Sequence, residues 1–266
     1  MVNLMNKNVL FIVEGKKDEP NFFKTVNAII DGYKDYEFFV YNTNIHILIK
    51  SMFPNGSFDE NIDLLEELKL KSTSNKEIET LSKTYTDIFM IFDLDPHAPE
   101  AELDSECLEK LLKHFNNSTD NGKLYINYPM MQSFRHTNIF LDENFKDKKV
   151  LKSDICNYKS IVNSEGANKY QNVKLYTEDI FYELAIMHIM KYNYIIKGEY
   201  SFPTVEEFVC LDDSMLFEKQ YELLNCKKEL YIINTCIFSF VEYNLSCFFK
   251  KANEYISEYK KTIKKL

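Results

Sequence analysis

Residues 8–19 read NVLFIVEGKKDE: an apolar run over Asn8–Val13 breaks at Glu14-Gly15 and turns polar through Asp18-Glu19. Apolar residues without polar alternation mark a strand covered on both faces, as in a parallel sheet packed between helices. Gly15 permits a tight turn and the close approach of a ligand. Asp18 can N-cap a helix with Pro20 in its first turn, and Phe22, Phe23, Val26, Ile29 and Ile30 recur at helical spacing until Gly32. The chain therefore opens on a buried strand, an acidic turn and a helix.

The same unit returns downstream. Residues 87–92 (DIFMIF) form a second buried run that ends in Asp93-Leu94-Asp95-Pro96-His97, and residues 103–115 follow with helical spacing. Between the two units, residues 37–41 read as a strand, and 45–52 and 62–70 as helices about a Pro54-Asn55-Gly56 turn. A turn cluster over 116–123 leads into a short strand at 124–127. Strand and helix alternate, which predicts an α/β fold: a mostly parallel sheet flanked by helices. Beyond residue 141 the pattern changes. Residues 142–172 are polar and mixed, and 177–197, 204–224 and 229–264 carry long helical periods. The expected division is a sheet domain over 1–141, a connecting segment over 142–172 and an α-helical C-terminal region over 173–266.

Composition bounds the function classes. With 266 residues, 45% hydrophobic and 15% aromatic, the chain buries a substantial core and is not a disordered tail. A net charge of −9 excludes a generic basic nucleic-acid coat. Arg135 is the only arginine beside 31 lysines. The charge is uneven: residues 1–150 hold 17 basic and 25 acidic residues (net −8), and the remainder holds 15 and 16 (net −1). Eight carboxylates and no Lys or Arg fall between Asp87 and Glu109. The six cysteines form no CxxC pair, which fits free thiols in a cytoplasmic protein. The apolar stretch 230–249 contains Glu242, whose charge at a bilayer centre would cost about 2.5 kcal/mol or more, so it reads as a buried helix and not a membrane span.

Ligands of parallel sheets bind at the carboxyl ends of the strands. Glu14 stands at one such end, and Asp18, four residues on at a helix start, can lean back toward it; the plainer readings are a solvated acid and an N-cap. Glu19 reads as a first-turn helix acid. Asp93 and Asp95 follow the second buried strand, and in extended chain they face one side. Carboxylates so arranged suit a hard divalent cation, Mg²⁺ or Mn²⁺, that keeps waters for a phosphate. His97 reads as a loop histidine. A third segment, LYINYPMMQSFRH over 124–136, starts from the third strand and carries Arg135, whose fork suits either a phosphate or a local carboxylate.

The EG-x-x-D after the first strand and the D-x-D after a later one resemble the TOPRIM domain. They are most similar to the overcoming-lysogenization-defect nucleases and RloB-like bacterial defence proteins. The INYPMMQSFRH stretch is similar to an Asn-Pro-x-x-Glu segment of such proteins, and the resemblance covers roughly residues 8–140. It implies a Mg²⁺- or Mn²⁺-dependent endonuclease cutting DNA or RNA, tRNA among the candidates, as the effector of antiphage defence. Glu14, Asp18, Asp93 and Asp95 would be metal ligands, with Glu14, Asp93 and Asp95 also catalytic, and Lys17 and Arg135 would contact substrate. A downstream catalytic lysine is implied as well, with Lys159 and Lys169 as candidates. Related proteins work with an ATPase partner, and no GxxxxGK[ST] occurs here to supply that activity. Gln132 stands where relatives often carry a Glu, and this keeps open a weakened, non-catalytic module that binds nucleic acid or a partner. The negative charge also calls for help in holding a nucleic acid. A partner, a second copy of the chain in a homo-oligomer, or the lysine strip Lys250, Lys251, Lys260, Lys261, Lys264 and Lys265 could supply it.

Overall fold

The computed structural model describes residues 7–53, 58, 62–97 and 105–264. The Pro54-Asn55-Gly56 turn, the start of the helix expected from residue 103, three acids of the 87–109 run (Glu100, Glu102, Asp104) and Lys265 lie outside the described residues.

Strand β1 (Asn8–Val13) is an interior strand of a five-stranded sheet. It pairs in parallel with β2 (Asp35–Val40) on one side and β3 (Asp87–Asp93) on the other. Strand β5 (Gly122–Asn127) runs parallel to β3, and a two-residue β4 (Asn116–Asn117) closes the edge antiparallel to β5. The order is β2-β1-β3-β5-β4. The unbroken apolar runs are the central strands, as two-sided burial demands. Phe11 of β1 stacks on Phe89 of β3, with ring centroids 5.5 Å apart.

Helix α1 (Asp18–Ile29) returns from β1 and buries Phe22, Phe23 and Val26. Its N-cap is Lys17, which makes no side-chain capping bond, and Asp18 is the first helical residue; the capping role expected of Asp18 is corrected here. The next crossover carries α2 (Ile45–Met52), α3 (Leu64–Lys71) and α4 (Asn75–Leu81), the last capped by Ser74. Helix α5 (Ser105–His114) leads into β4.

Residues 142–172 fold into short pieces: β6 (Lys149–Leu151), α6 (Tyr158–Glu165) and α7 (Asn168–Gln171). The 20-residue α8 (Glu178–Lys197) follows and is buried along most of its length. Thr177 caps its start, and Gly198, at φ +80°, ends it in the left-handed region.

Two long helices expected from periodicity are broken. Residues 204–224 divide into α9 (Val205–Val209) and α10 (Asp213–Lys227), because Asp212 accepts the Ser214 N–H at 2.8 Å and starts a new helix. The 229–264 stretch opens as β7 (Glu229–Tyr231), antiparallel to β6, and becomes helical only at α11 (Phe238–Tyr243) and α12 (Leu245–Ile263). The buried helix expected over 230–249 is therefore replaced by a strand, a turn and two helix segments. Thr235 Oγ1 donates to Ile126 O at 2.9 Å and Asn234 Nδ2 to Met131 O at 3.1 Å. Side chains that bond another segment's backbone hold this stretch against the sheet domain instead of in a helix. Among the described residues no helix is long and apolar enough to cross a membrane, and all six cysteines are free thiols.

Candidate active site

The parallel register brings the ends of three strands to one rim: Val13 is paired with Ile91, and Asp93 with Asn127. Glu14 follows β1 directly. Its N–H donates to Ile91 O at 3.3 Å, and its Oε2 accepts the Asp93 N–H at 3.1 Å. Both acids are thereby locked to the sheet before side-chain freedom enters.

A cleft of about 230 Å³ opens beside them. It is lined by Glu14, Asp93, Asp95, His97 and Lys159, with Pro129, Met130, Ile155 and Cys156 as its less polar boundary. Asp95 turns into the left-handed region, φ +39°, and His46, buried on α2, donates Nε2–H to the Asp95 carbonyl at 3.0 Å. The same bond leaves the His46 Nδ1 without a partner. A non-glycine residue at positive φ carries strain, and such residues cluster at functional sites.

The electrostatics are set by burial among like charges. Burial pushes the Glu14 carboxyl up to about 7; Glu19 and Asp95 push the same way, against the Asp93 N–H and Lys159. Asp93 is raised well above the usual carboxylate range by burial, then by Glu14 and Glu19, against the Asn127 amide and the Met131 N–H. Glu19, only 5% exposed, is raised by burial and by Asp18. A Cβ at position 15 would sit 2.8 Å from Glu19 Oε2, so Gly15 is what admits this third acid beneath the turn.

Asp18 stands one contact from the cleft. Its Oδ2 accepts Gln132 Nε2 at 2.6 Å and Lys159 Nζ at 3.2 Å. Gln132 is itself buried, and its Oε1 has no partner. Lys17 is exposed at the start of α1. Two expected residues are not brought to the cleft. Lys169 Nζ is held by Glu183 Oε2 at 2.5 Å, over the Tyr170 ring. Arg135 is engaged through Nη1 by the Gln171 side chain and, at 3.4 Å, its carbonyl. Both pairs, 14 and 36 residues apart, lie within the 135–183 segment, which sequence motifs do not resolve.

Asn127 was missed, and the register could have exposed it: a polar residue closing a buried strand beside Asp93 belongs to the same rim. Glu19 was passed over as a helix acid because nothing in the sequence signals its burial. Lys159 arrives on α6, far along the chain, and no spacing marks it over Lys169.

The donor set is all carboxyl oxygen and partly desolvated, which is the chemistry of a hard divalent cation. Among the described residues no three His, Cys, Asp or Glu side chains are already gathered as a ligand group. Mg²⁺ does not demand such a cage, because it is commonly bound by one or two carboxylates, waters and substrate phosphate. No family model, curated protein or solved structure matches this chain.

Proposed function

We propose that the protein is a TOPRIM-like, Mg²⁺- or Mn²⁺-dependent nuclease that hydrolyses phosphodiester bonds of DNA or RNA. The observation that carries this reading is the convergence of Glu14, Asp93 and Asp95 on one cleft, where burial and their mutual repulsion push the Glu14 and Asp93 carboxyls upward. Acids held in that state are relieved by a cation. Glu14, Asp93 and Asp95 would hold it, with Asp18 behind them. The metal would polarise a phosphoryl oxygen and offset the charge that develops during in-line displacement.

The chain's own residues supply the rest. Glu14 Oε2 accepts the Asp93 N–H, so Oε1 is the atom that would face the cation or, in the other role open to Glu14, take a proton from attacking water. A carboxyl near 7 exchanges protons at neutral pH in both directions, as general acid–base work requires. Among the described residues Lys159 is the one ammonium of the cleft lining, and it would face the phosphate. The biological setting that accompanies this reading is a cytoplasmic antiphage effector working with an ATPase partner.

A second reading has its own observation. Gln132 spends its NH2 on Asp18 and offers no negative charge, which suits a weakened module that binds nucleic acid or a partner without cutting. Two measurements decide. Mg²⁺ or Mn²⁺ should raise the melting temperature, and Asp93→Asn should abolish the rise; equal responses defeat the cation site. Plasmid and total tRNA incubated in Mn²⁺ should be cut by wild type and not by Glu14→Gln. Equal cutting by both assigns the activity to a contaminant. A metal response without cleavage favours the binding module.

A further inference from the structure

Asn127 closes β5 fully buried and stands opposite Asp93 in the parallel register. Its amide is gripped from two sides. Oδ1 accepts the Cys236 N–H at 3.3 Å, and Nδ2 donates to Asp93 Oδ1 at 3.3 Å. The opposite orientation would set NH2 against the Cys236 N–H, which can only donate, so this neighbour dictates which way the amide faces. Cys236 is fixed in turn. Asn234 Oδ1 accepts the Ile237 N–H at 3.2 Å, and the Asn234 N–H donates to His188 Nδ1 at 3.1 Å. Since Nδ1 accepts, the His188 proton sits on Nε2 and donates to Phe134 O at 3.1 Å. A chain of buried bonds thus runs from α8 through the 234–237 turn to the acid cleft.

We propose that Asn127 is a positioning residue of the cleft: the 234–237 turn sets its amide, and its NH2 holds the Asp93 carboxylate in the orientation that receives a divalent cation. The inference rests on the cation reading of the cleft given above. It makes the C-terminal region part of the site, although none of that region's residues lines the cleft. Partners that orient a ligating carboxylate act through it, and their loss commonly costs 10–100-fold in metal affinity or activity.

The test begins with the Asn127 side-chain amide resonances in the full chain without metal. A proton donated to a carboxylate resonates downfield, and Asp93→Ala removes the acceptor while leaving Asn127 and its Cys236 contact intact. The resonance should move upfield in that variant; an unchanged resonance overturns the proposal. Asn127→Ala, which removes the donor without adding charge, should then weaken Mg²⁺ binding in calorimetry about 10- to 100-fold. Wild-type affinity in Asn127→Ala likewise overturns it. A wild-type chain that takes up no Mg²⁺ defeats the cation reading instead, and the resonance still decides whether Asn127 holds Asp93.

Discussion

The Glu14 carboxylate accepts the backbone N–H of Asp93 across the β1–β3 boundary at 3.1 Å. One hydrogen bond to the charged form is not enough to offset burial, and the Glu14 carboxyl is pushed from 4.5 up to about 7. The sign of the consequence for stability is fixed by proton counting. Between these two values the folded chain holds a proton that the unfolded chain has lost, so stability falls as pH rises. In metal-free protein this contribution, at most about 3 kcal/mol, is present below pH 4.5 and is lost by about pH 7. Asp93 adds in the same direction. Melting temperatures of Glu14→Gln should fall less steeply across that window, and Mg²⁺ should stabilise wild type increasingly as the pH rises. A parallel pH dependence in the two proteins would remove Glu14 from the account.

Asp95 holds φ +39°, with its carbonyl anchored by His46. Asn tolerates the left-handed region as well as Asp does, so Asp95→Asn keeps the backbone and deletes one charge that raises Glu14. Metal-free Asp95→Asn should melt no lower than wild type, while its Mg²⁺-induced rise shrinks and cleavage is lost. A variant that instead loses several degrees without metal would mean that the Asp95 carboxylate is structural.

The sheet and its acidic rim were legible because they rest on local signals. Five apolar residues before Glu14 and five before Asp93 specify buried parallel strands, and their carboxyl ends locate a cleft. The C-terminal half was not legible in the same way. Ile232, Ile233, Cys236 and Ile237 satisfy a helical stripe on paper, yet the segment is fixed by long-range bonds: Asn234 to Met131, Thr235 to Ile126, and an Ile233–Tyr128 bridge. Hydrophobic period reports that residues are buried; it does not report which segment they are buried against. The same limit explains Asn127, whose importance depends on Cys236, 109 residues away.

Gln132 is the sharpest point of departure from an all-acid site, and it can be tested by restoring the acid. Gln132→Glu replaces the NH2 that donates to Asp18 Oδ2 at 2.6 Å with a carboxylate oxygen facing another. Metal-free protein should lose about 1–3 kcal/mol, the cost of an unsatisfied or repelled buried group. If the cleft admits a cation on this side, Mg²⁺ should recover more stability in Gln132→Glu than it adds to wild type. Recovery no greater than wild type places the cation away from Gln132.

Lys159 and Lys169 separate the cleft from its surroundings. Lys159 lines the cleft, bridges to Asp18 and lowers the proton affinity of Glu14. Lys159→Met should therefore lower cleavage about 10-fold or more and move the low-pH limb of its pH profile upward, because Glu14 then holds its proton to higher pH. Lys169 faces Glu183, which Tyr170 also bonds at 2.6 Å, and its side chain is 44% exposed. Glu183 itself is buried, but it keeps its Tyr170 donor when the lysine is removed, so the carboxylate is not left without a partner. Lys169→Met should leave both cleavage and the Mg²⁺-induced rise in melting temperature unchanged, with a small loss of stability. Parallel assays of the two variants on one nucleic-acid substrate check the contrast. Loss of cleavage in Lys169→Met with Lys159→Met unaffected would move the working lysine to the α7–α8 pair and away from the acids at the sheet rim.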